Sequence, residues 1–345
     1  MRLSVVVPLF NEAENLTPLY DRLSATMERI ACDYELIFVD DGSSDDSLRV
    51  LEQLAERDDR VKFLSLTRNF GHEAASTAGL DVADGDAVVL MDADLQDPPE
   101  LIDEMLERWV QGFDVVYARR SRREGESTFK RVAAFLFYRL MRRASALDLP
   151  LDTGDFRLMD RRVVESFRQL PERQRFVRGL LTWLGFRQTA VDYVRPARYA
   201  GAGKYSVWSL VRLGLDAVLG FSVVPLRAVA AFGLVSVVGA TLFAAAVFGR
   251  SVLLGAAIAD GTLTQLCIAL FSGVQLVTLG VLGEYIGRIH GEVQRRPLYL
   301  VDRQRGWSSR AAGRRIDDGR ERRPQVGSRR RAALTEADLP RVLAS

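Results

Sequence analysis

The chain has 345 residues, 47 Lys plus Arg against 45 Asp plus Glu, and 48% hydrophobic residues, so one large domain or two can be built around a sizeable core. Two cysteines, Cys32 and Cys267, make no disulfide framework and point to plain packing in a reduced compartment. With only His72 and His290 present, histidine metal sites and Ser-His-Asp catalysis have little support.

The segment LSVVVPLFNEAENL reads as a buried strand ending at Pro8, then a polar turn and an amphipathic helix to about Ile30. A second strand in YELIFVDDGSSDDS ends at Asp40 and Asp41, with Asp45 and Asp46 placed as helix caps. Strands follow at 61–66 and 87–91, each leading into a helix, at 72–83 and 100–111. Alternating strands and helices, with continuous apolar strands, predict an α/β fold whose mostly parallel sheet is covered on both faces. Ligands in such sheets sit beyond the carboxyl ends of the strands. Asn11, Glu12, Asp40, Asp41, Arg68, Asp92 and Asp94 all fall at or just after those ends, so one cleft can collect them.

Within VVLMDADLQDPPELI, residues 88–102, an apolar strand runs into Asp92 and Asp94 and breaks at Pro98 and Pro99. Two carboxylates at i and i+2 can share one hard divalent cation, Mg2+ or Mn2+, that keeps positions open for diphosphate oxygens.

Further along, two stretches of about 21 uncharged residues, 228–248 and 263–283, are long enough to cross a bilayer. Gly233, Gly239, Gly273 and Gly280 permit close helix packing, which is compatible with a homo-oligomer. Arg227 before the first span and Arg288, Arg295 and Arg296 after the second outweigh Arg250 between them, so both termini are expected on the cytoplasmic side of the plasma or inner membrane. No cleavable signal precedes the first strand. In TFKRVAAFLFYRLMRRASAL, about 128–147, Phe129, Val132, Leu136 and Leu140 form a stripe flanked by basic residues, as in a helix lying against anionic lipid. From Arg288 onward 15 Arg stand against 7 Asp plus Glu, and the tail, 291–345, is expected to be disordered. It has no recognition motif or aromatic platform for nucleic acid. The expected organisation is a catalytic domain over 1–205, a juxtamembrane helix over 206–224, a two-helix membrane region over 225–290 and the basic tail.

PLFNEAENL, VDDGSSDDS, RNFGHEAA and DADLQDPPEL, in that order and spacing, resemble the nucleotide-sugar-binding half of family 2 glycosyltransferases. RRSRREGESTFKR, DTGDFRLMDRR and RPARYAGAGKYS are similar to the polyisoprenyl-phosphate hexose synthases, the group of dolichyl-phosphate mannose synthase and the bactoprenol glucosyltransferases. The resemblance covers roughly residues 3–290. It implies a GT-A-type domain and inverting transfer of one hexose from a nucleotide-sugar, UDP-glucose before GDP-mannose, to a polyisoprenyl phosphate at the cytosolic membrane face.

Carried onto this chain, the resemblance assigns Pro8, Asn11, Glu12 and Asp41 to the nucleotide and adds Gln96 to Asp92 and Asp94 as a third metal ligand. Arg68 and His72 lie where phosphate is neutralised, although His72 replaces the usual Lys and Phe10 the usual Tyr. Arg120, Arg123 and Arg131 are candidates for the acceptor phosphate, because Arg forms a planar two-bond fork. Asp155 matches an acidic position discussed as a base. With an acceptor that is already an anion, its expected work is orienting the acceptor or a sugar hydroxyl. Arg198 and Lys204, with Gly201 and Gly203 between them, look like a mobile clamp on the diphosphate. Asp94, Asp155, Arg120 and Arg131 are the expected catalytic set. Two other readings remain: a processive polysaccharide synthase, whose Gln-x-x-Arg-Trp motif is missing from ERQRFVRG, and a catalytically silent membrane scaffold.

Overall fold

The computed structural model describes residues 1–120, 153–173, 175–194 and 262–307, with scattered helical positions between 226 and 246. Strand β1 (Arg2–Leu9) is followed by α1 (Ala13–Ile30), β2 (Asp33–Asp40), α2 (Ser47–Arg57), β3 (Val61–Leu66), α3 (His72–Val82) and β4 (Ala87–Leu90). A 3-10 turn over Pro99–Leu101 leads into α4 (Ile102–Val110), then β5 (Val115–Arg120). After β6 (Thr153–Asp160) come α5 (Arg161–Arg168), α6 (Val177–Trp183), β7 (Gln188–Tyr193), α7 (Thr262–Gln294) and β8 (Val301–Arg305).

The strands form one sheet in the order β7-β5-β6-β4-β1-β2-β3-β8. Only β6 and β8 run against the rest: β1 is parallel to β2 and β4, β2 to β3, and β5 to β7, whereas β6 is antiparallel to β4 and β5 and β8 to β3. The central strands are buried on both faces because helices cover both, so seven successive residues of β1, Leu3 to Leu9, are all buried. Leu16, Leu19, Leu23 and Met27 bring one stripe of α1 onto that core. On the other face α3 crosses closely: a Cβ at Gly79 would stand 2.3 Å from Val6 Cγ1, so only glycine lets the helix approach the sheet here.

The first four strands fall where the hydrophobic pattern puts them, and β5, β6 and β7 extend the sheet beyond that pattern. The most consequential of these is β6. Its register against β4 pairs Leu90 with Arg157, and two residues further on the same register sets Asp155 opposite Asp92. An antiparallel insertion thus returns a carboxylate to the end where the parallel strands deliver theirs.

The expected disorder after 291 is corrected over 301–305, where β8 pairs with edge strand β3. Only Val301 of this strand is apolar, and its charged residues, with Arg303 and Arg305 reaching Glu52 and Glu56 on α2, suit a solvated edge. The described parts of 1–194, together with 297–307, form one compact unit, and α7 belongs to a second. Helix α7 contains the second expected span and leaves Leu276, Val277, Leu279 and Ile286 exposed. Among the described residues, no helix is long and apolar enough to cross a membrane. The interfacial stretch 128–147, the juxtamembrane stretch and residues 308–345 lie outside the described residues, as does part of the first expected span.

Candidate active site

The first two strand ends are tied to each other. Asn11, with φ 56°, donates its N–H to Ser43 Oγ at 2.9 Å, and its Oδ1 accepts the Ser44 N–H at 2.8 Å. Asp45 accepts the N–H of Ser47 at 3.0 Å and of Ala13 at 3.2 Å, and so caps the starts of α2 and α1 together. Asp46 pairs with Arg49 at 3.0 Å and makes no side-chain cap. Pro8 lies buried in β1 opposite Val39, and Glu12, half-buried just before α1, accepts from Asn15 Nδ2.

Asp41, expected to meet the nucleotide, is buried and anchors a loop. Its two oxygens accept the N–H groups of Phe70 at 2.7 Å and Gly71 at 2.9 Å. Burial raises its pKa against the pull of those donors. On the loop so held, Arg68 is exposed and stacks on Phe70, 4.0 Å from the ring centroid. Gly71 then opens α3, and His72 is the first residue of that helix.

His72, expected beside the phosphates in place of the usual Lys, stands between the two acidic strand ends. Its Nε2 lies 3.3 Å from Asp155 Oδ2 and 3.7 Å from Asp92 Oδ1. Desolvation opposes its charge, but the Asp155 hydrogen bond and the Asp92 and Asp155 charges prevail and lift its pKa to about 9. Desolvation raises Asp92 to about 7, with Asp97, Asp155 and Asp94 adding to the effect and His72 countering it. Tyr193 O–H donates to the buried Asp97 at 2.9 Å, which keeps that third carboxylate at the base of the cluster.

Asp155 is held more tightly still. Arg178, from the first turn of α6, donates Nε to Oδ1 at 2.6 Å and Nη2 to Oδ2 at 2.8 Å. Although burial works against ionisation, the Arg178 charge and the Arg178 and His72 bonds hold Asp155 well below the usual carboxylate range. Glu73 supports this arrangement from α3, accepting the Val177 N–H at the start of α6 at 2.9 Å. Its own pKa is raised, first by burial and then by Asp155. The buried Arg157 donates to the carbonyls of Asp155 and Gly154, and desolvation lowers its pKa to about 10. Neither Arg178 nor Glu73 was singled out by the sequence. The only signal for Arg178 was the basic run ERQRFVRG, read there solely for a motif it lacks.

After β4, burial alternates: Ala93, Leu95 and Asp97 are buried, and Asp92, Asp94 and Gln96 are partly exposed. Three oxygen-bearing side chains on one open face fit a hard divalent ion such as Mg2+ or Mn2+. The Gln96 N–H also donates to Asp94 Oδ1 at 3.1 Å, fixing the turn between them. A second set, His72, Asp92 and Asp155, has ligand atoms within 4.8 Å of one another. Asp92 belongs to both sets. Asp155 is already occupied by Arg178, which favours the oxygen set for the ion.

Arg120 is the last residue of β5, and its side chain lies outside the described residues, as do Arg123, Arg131, Arg198 and Lys204 entirely. Cys32 is free and packs against the core, where burial pushes its thiol up to about 11.

Comparison with known proteins agrees with this layout. Residues 4–168 match glycosyl transferase family 2. The uncharacterised glycosyltransferase YkcC of Bacillus subtilis (strain 168) is 45% identical over 88% of this chain and 94% of its own length. The SfII prophage-derived bactoprenol glucosyl transferase of Shigella flexneri is 41% identical over 87% of this chain and 97% of its own. A prophage bactoprenol glucosyl transferase homolog of Escherichia coli (strain K12) is 40% identical, covering 88% and 99%. With its GT-A-like α/β sheet and this degree of likeness over nearly the full length of its relatives, the chain belongs to glycosyl transferase family 2 and is a glycosyltransferase.

Proposed function

We propose that this glycosyltransferase moves a single hexose from a nucleotide-sugar, UDP-glucose in the first place and GDP-mannose in the second, to a polyisoprenyl phosphate, with inversion at the anomeric carbon. The observation that carries the reading is the 41% identity to a bactoprenol glucosyl transferase over 97% of that protein's length. The site geometry is consistent with it. A carboxylate forked by Arg178 and touched by a cationic His72 is a weak base, and a phosphate monoester acceptor is an anion that needs none. Asp155 then serves by orientation: it can receive a sugar hydroxyl or set His72 facing the acceptor.

On the donor side, Asn11, Glu12 and Pro8 shape the turn beneath the nucleotide, and Asp41 contributes by fixing the loop that presents Arg68. Asp92, Asp94 and Gln96 would hold the divalent ion, which when bound supplies positive charge to the diphosphate leaving group. The remaining contacts are assigned from the sequence: Arg120, Arg123 and Arg131 to the acceptor phosphate, and Arg198 and Lys204 to the diphosphate.

The reaction is placed at the cytosolic face of the membrane, with both termini cytoplasmic. In support, 263–283 carries no charged residue and several apolar side chains of α7 are exposed. The deciding experiment incubates membranes containing the protein with a panel of nucleotide-sugars and tagged polyisoprenyl phosphate. Hexose should appear in the lipid fraction from one donor. Transfer to a soluble sugar with no response to polyisoprenyl phosphate would overturn the proposal.

A further inference from the structure

Tyr299 and Leu300 follow α7 by a few residues and hold two points of one stretch of chain, the start of the β3–α3 connection and the far end of α3. The Leu300 carbonyl accepts the Thr67 N–H at 2.9 Å, where that connection begins. Tyr299 donates its O–H to Asp81 Oδ2 at 2.9 Å, in the last turn of the helix that starts at His72. From there β8 continues along the outer edge of β3. The segment is fastened again by Arg303 to Glu52 at 3.3 Å, Arg305 to Glu56 at 3.5 Å and Lys62 over the Trp307 ring at 5.3 Å.

Between the two fixed points lie Arg68 and His72, the cationic side chains of this face of the site. From inside the fold the connection is held by Asp41, through Phe70 and Gly71. From outside it is held by residues more than 200 positions later in the chain. A loop anchored on one side by two backbone hydrogen bonds can still pivot about them. One further anchor at the start of the loop and another at the far end of the helix that follows it restrict that pivot, so Arg68 and His72 are placed before substrate arrives.

We infer that the segment after α7 is a positioning element for the donor site, with Tyr299 as the positioning residue that fixes α3 and the Arg68 loop. The inference rests on the glycosyl-transfer reading for its kinetic consequence and not for its structural one. Strand addition at a sheet edge supplies alignment through the backbone, and Tyr299 supplies the side-chain lock that sets how α3 sits.

The test uses full-length protein and two readouts. With UDP-glucose as donor, Tyr299→Phe should raise the donor KM about two- to tenfold, the range one neutral hydrogen bond spans, with kcat within about twofold. Asp81→Ala should match it. Asp81→Asn keeps a carbonyl acceptor for the tyrosine and should stay within about twofold of wild type. Unchanged KM in Tyr299→Phe and Asp81→Ala, or a fall in kcat alone, overturns the inference. Hydrogen exchange gives the answer without activity: the Phe70 and Gly71 amides should exchange faster in Tyr299→Ala while those of β1 keep their protection. Unchanged exchange at 70 and 71, or uniform acceleration throughout the sheet, overturns it equally. A wild-type enzyme silent with every nucleotide-sugar refutes the proposed function and leaves the exchange result to decide this inference alone.

Discussion

Arg178 grips Asp155 through two parallel hydrogen bonds, 2.6 Å from Nε and 2.8 Å from Nη2, and its charge helps to hold that buried carboxylate well below the usual carboxylate range. Two bonds in one plane fix orientation as well as charge. Arg178→Ala leaves Asp155 buried beside His72 without its fork. A loss of about 1–3 kcal/mol in stability is expected, below the range for fully buried pairs because Arg178 is partly exposed. Arg178→Lys should recover stability in part and turnover less, since an ammonium cannot align both oxygens. Denaturant unfolding and initial rates, measured on the same preparations, check this. Equal recovery of both by lysine would show that only charge matters.

The metal assignment turns on Asp94 and Asp92. Asp94→Asn and Asp92→Asn should each lower kcat roughly 100-fold or more while leaving the fold intact, because each removes a charge that offsets the leaving diphosphate. Excess chelator should do the same to wild type, with recovery on adding Mn2+ or Mg2+. Near-normal turnover in either variant, or full activity in chelator, would remove the ion from the mechanism.

The pH dependence of stability carries the sign of the His72 shift. Its folded pKa, about 9, lies above the usual imidazole value, so its contribution is fully present below about 6.5 and is lost as pH rises through 9. The difference in denaturation midpoint between wild type and His72→Gln should therefore be largest near pH 6 and shrink toward pH 10. Asp92 has the opposite character. Its pKa is raised to about 7, so protons compete with a cation there, and Mn2+ affinity should climb as pH rises through 7. A midpoint difference independent of pH would mean that His72 is not charged beside Asp155.

Much of this site could be read from the sequence because the parallel strands deliver residues to one sheet end in a periodic way. Asp41, Arg68, Asp92 and Asp94 follow strands whose apolar runs announce them. Asp155 became visible only through family resemblance, since it reaches the site on an antiparallel strand more than 60 residues after Asp92. Arg178 and Glu73 are helical residues whose roles depend on which helix packs beside which, and no local periodicity encodes that. The loop contacts of Asp41 were not legible either, because a carboxylate at a strand end looks the same in sequence whether or not it also meets the N–H groups of a neighbouring loop. Residues 301–305 were hidden by their charge. An edge strand can form with hardly any apolar residue, because its backbone pairs with β3 and its arginines with α2.

Two glycines in neighbouring loops, Gly42 between β2 and α2 and Gly71 between β3 and α3, separate backbone strain from close packing. Gly42, with φ 69°, and Gly71, with φ 101°, both hold conformations that side chains resist, so alanine at either position should cost about 1 kcal/mol or more. Their surroundings differ. A Cβ at Gly42 would lie 2.5 Å from the Arg68 carbonyl carbon and 2.8 Å from the Asn69 nitrogen, whereas one at Gly71 meets nothing within 4 Å. Backbone cannot rotate aside as a side-chain tip can, so Gly42→Ala must push the Arg68 loop away from β2, and Gly71→Ala need not. Both variants should lose stability by comparable backbone strain. Gly42→Ala should show in addition a weaker nucleotide-sugar affinity, measured by calorimetric titration, beyond any seen in Gly71→Ala. Identical affinities in the two variants would mean that the position of the Arg68 loop does not govern donor binding.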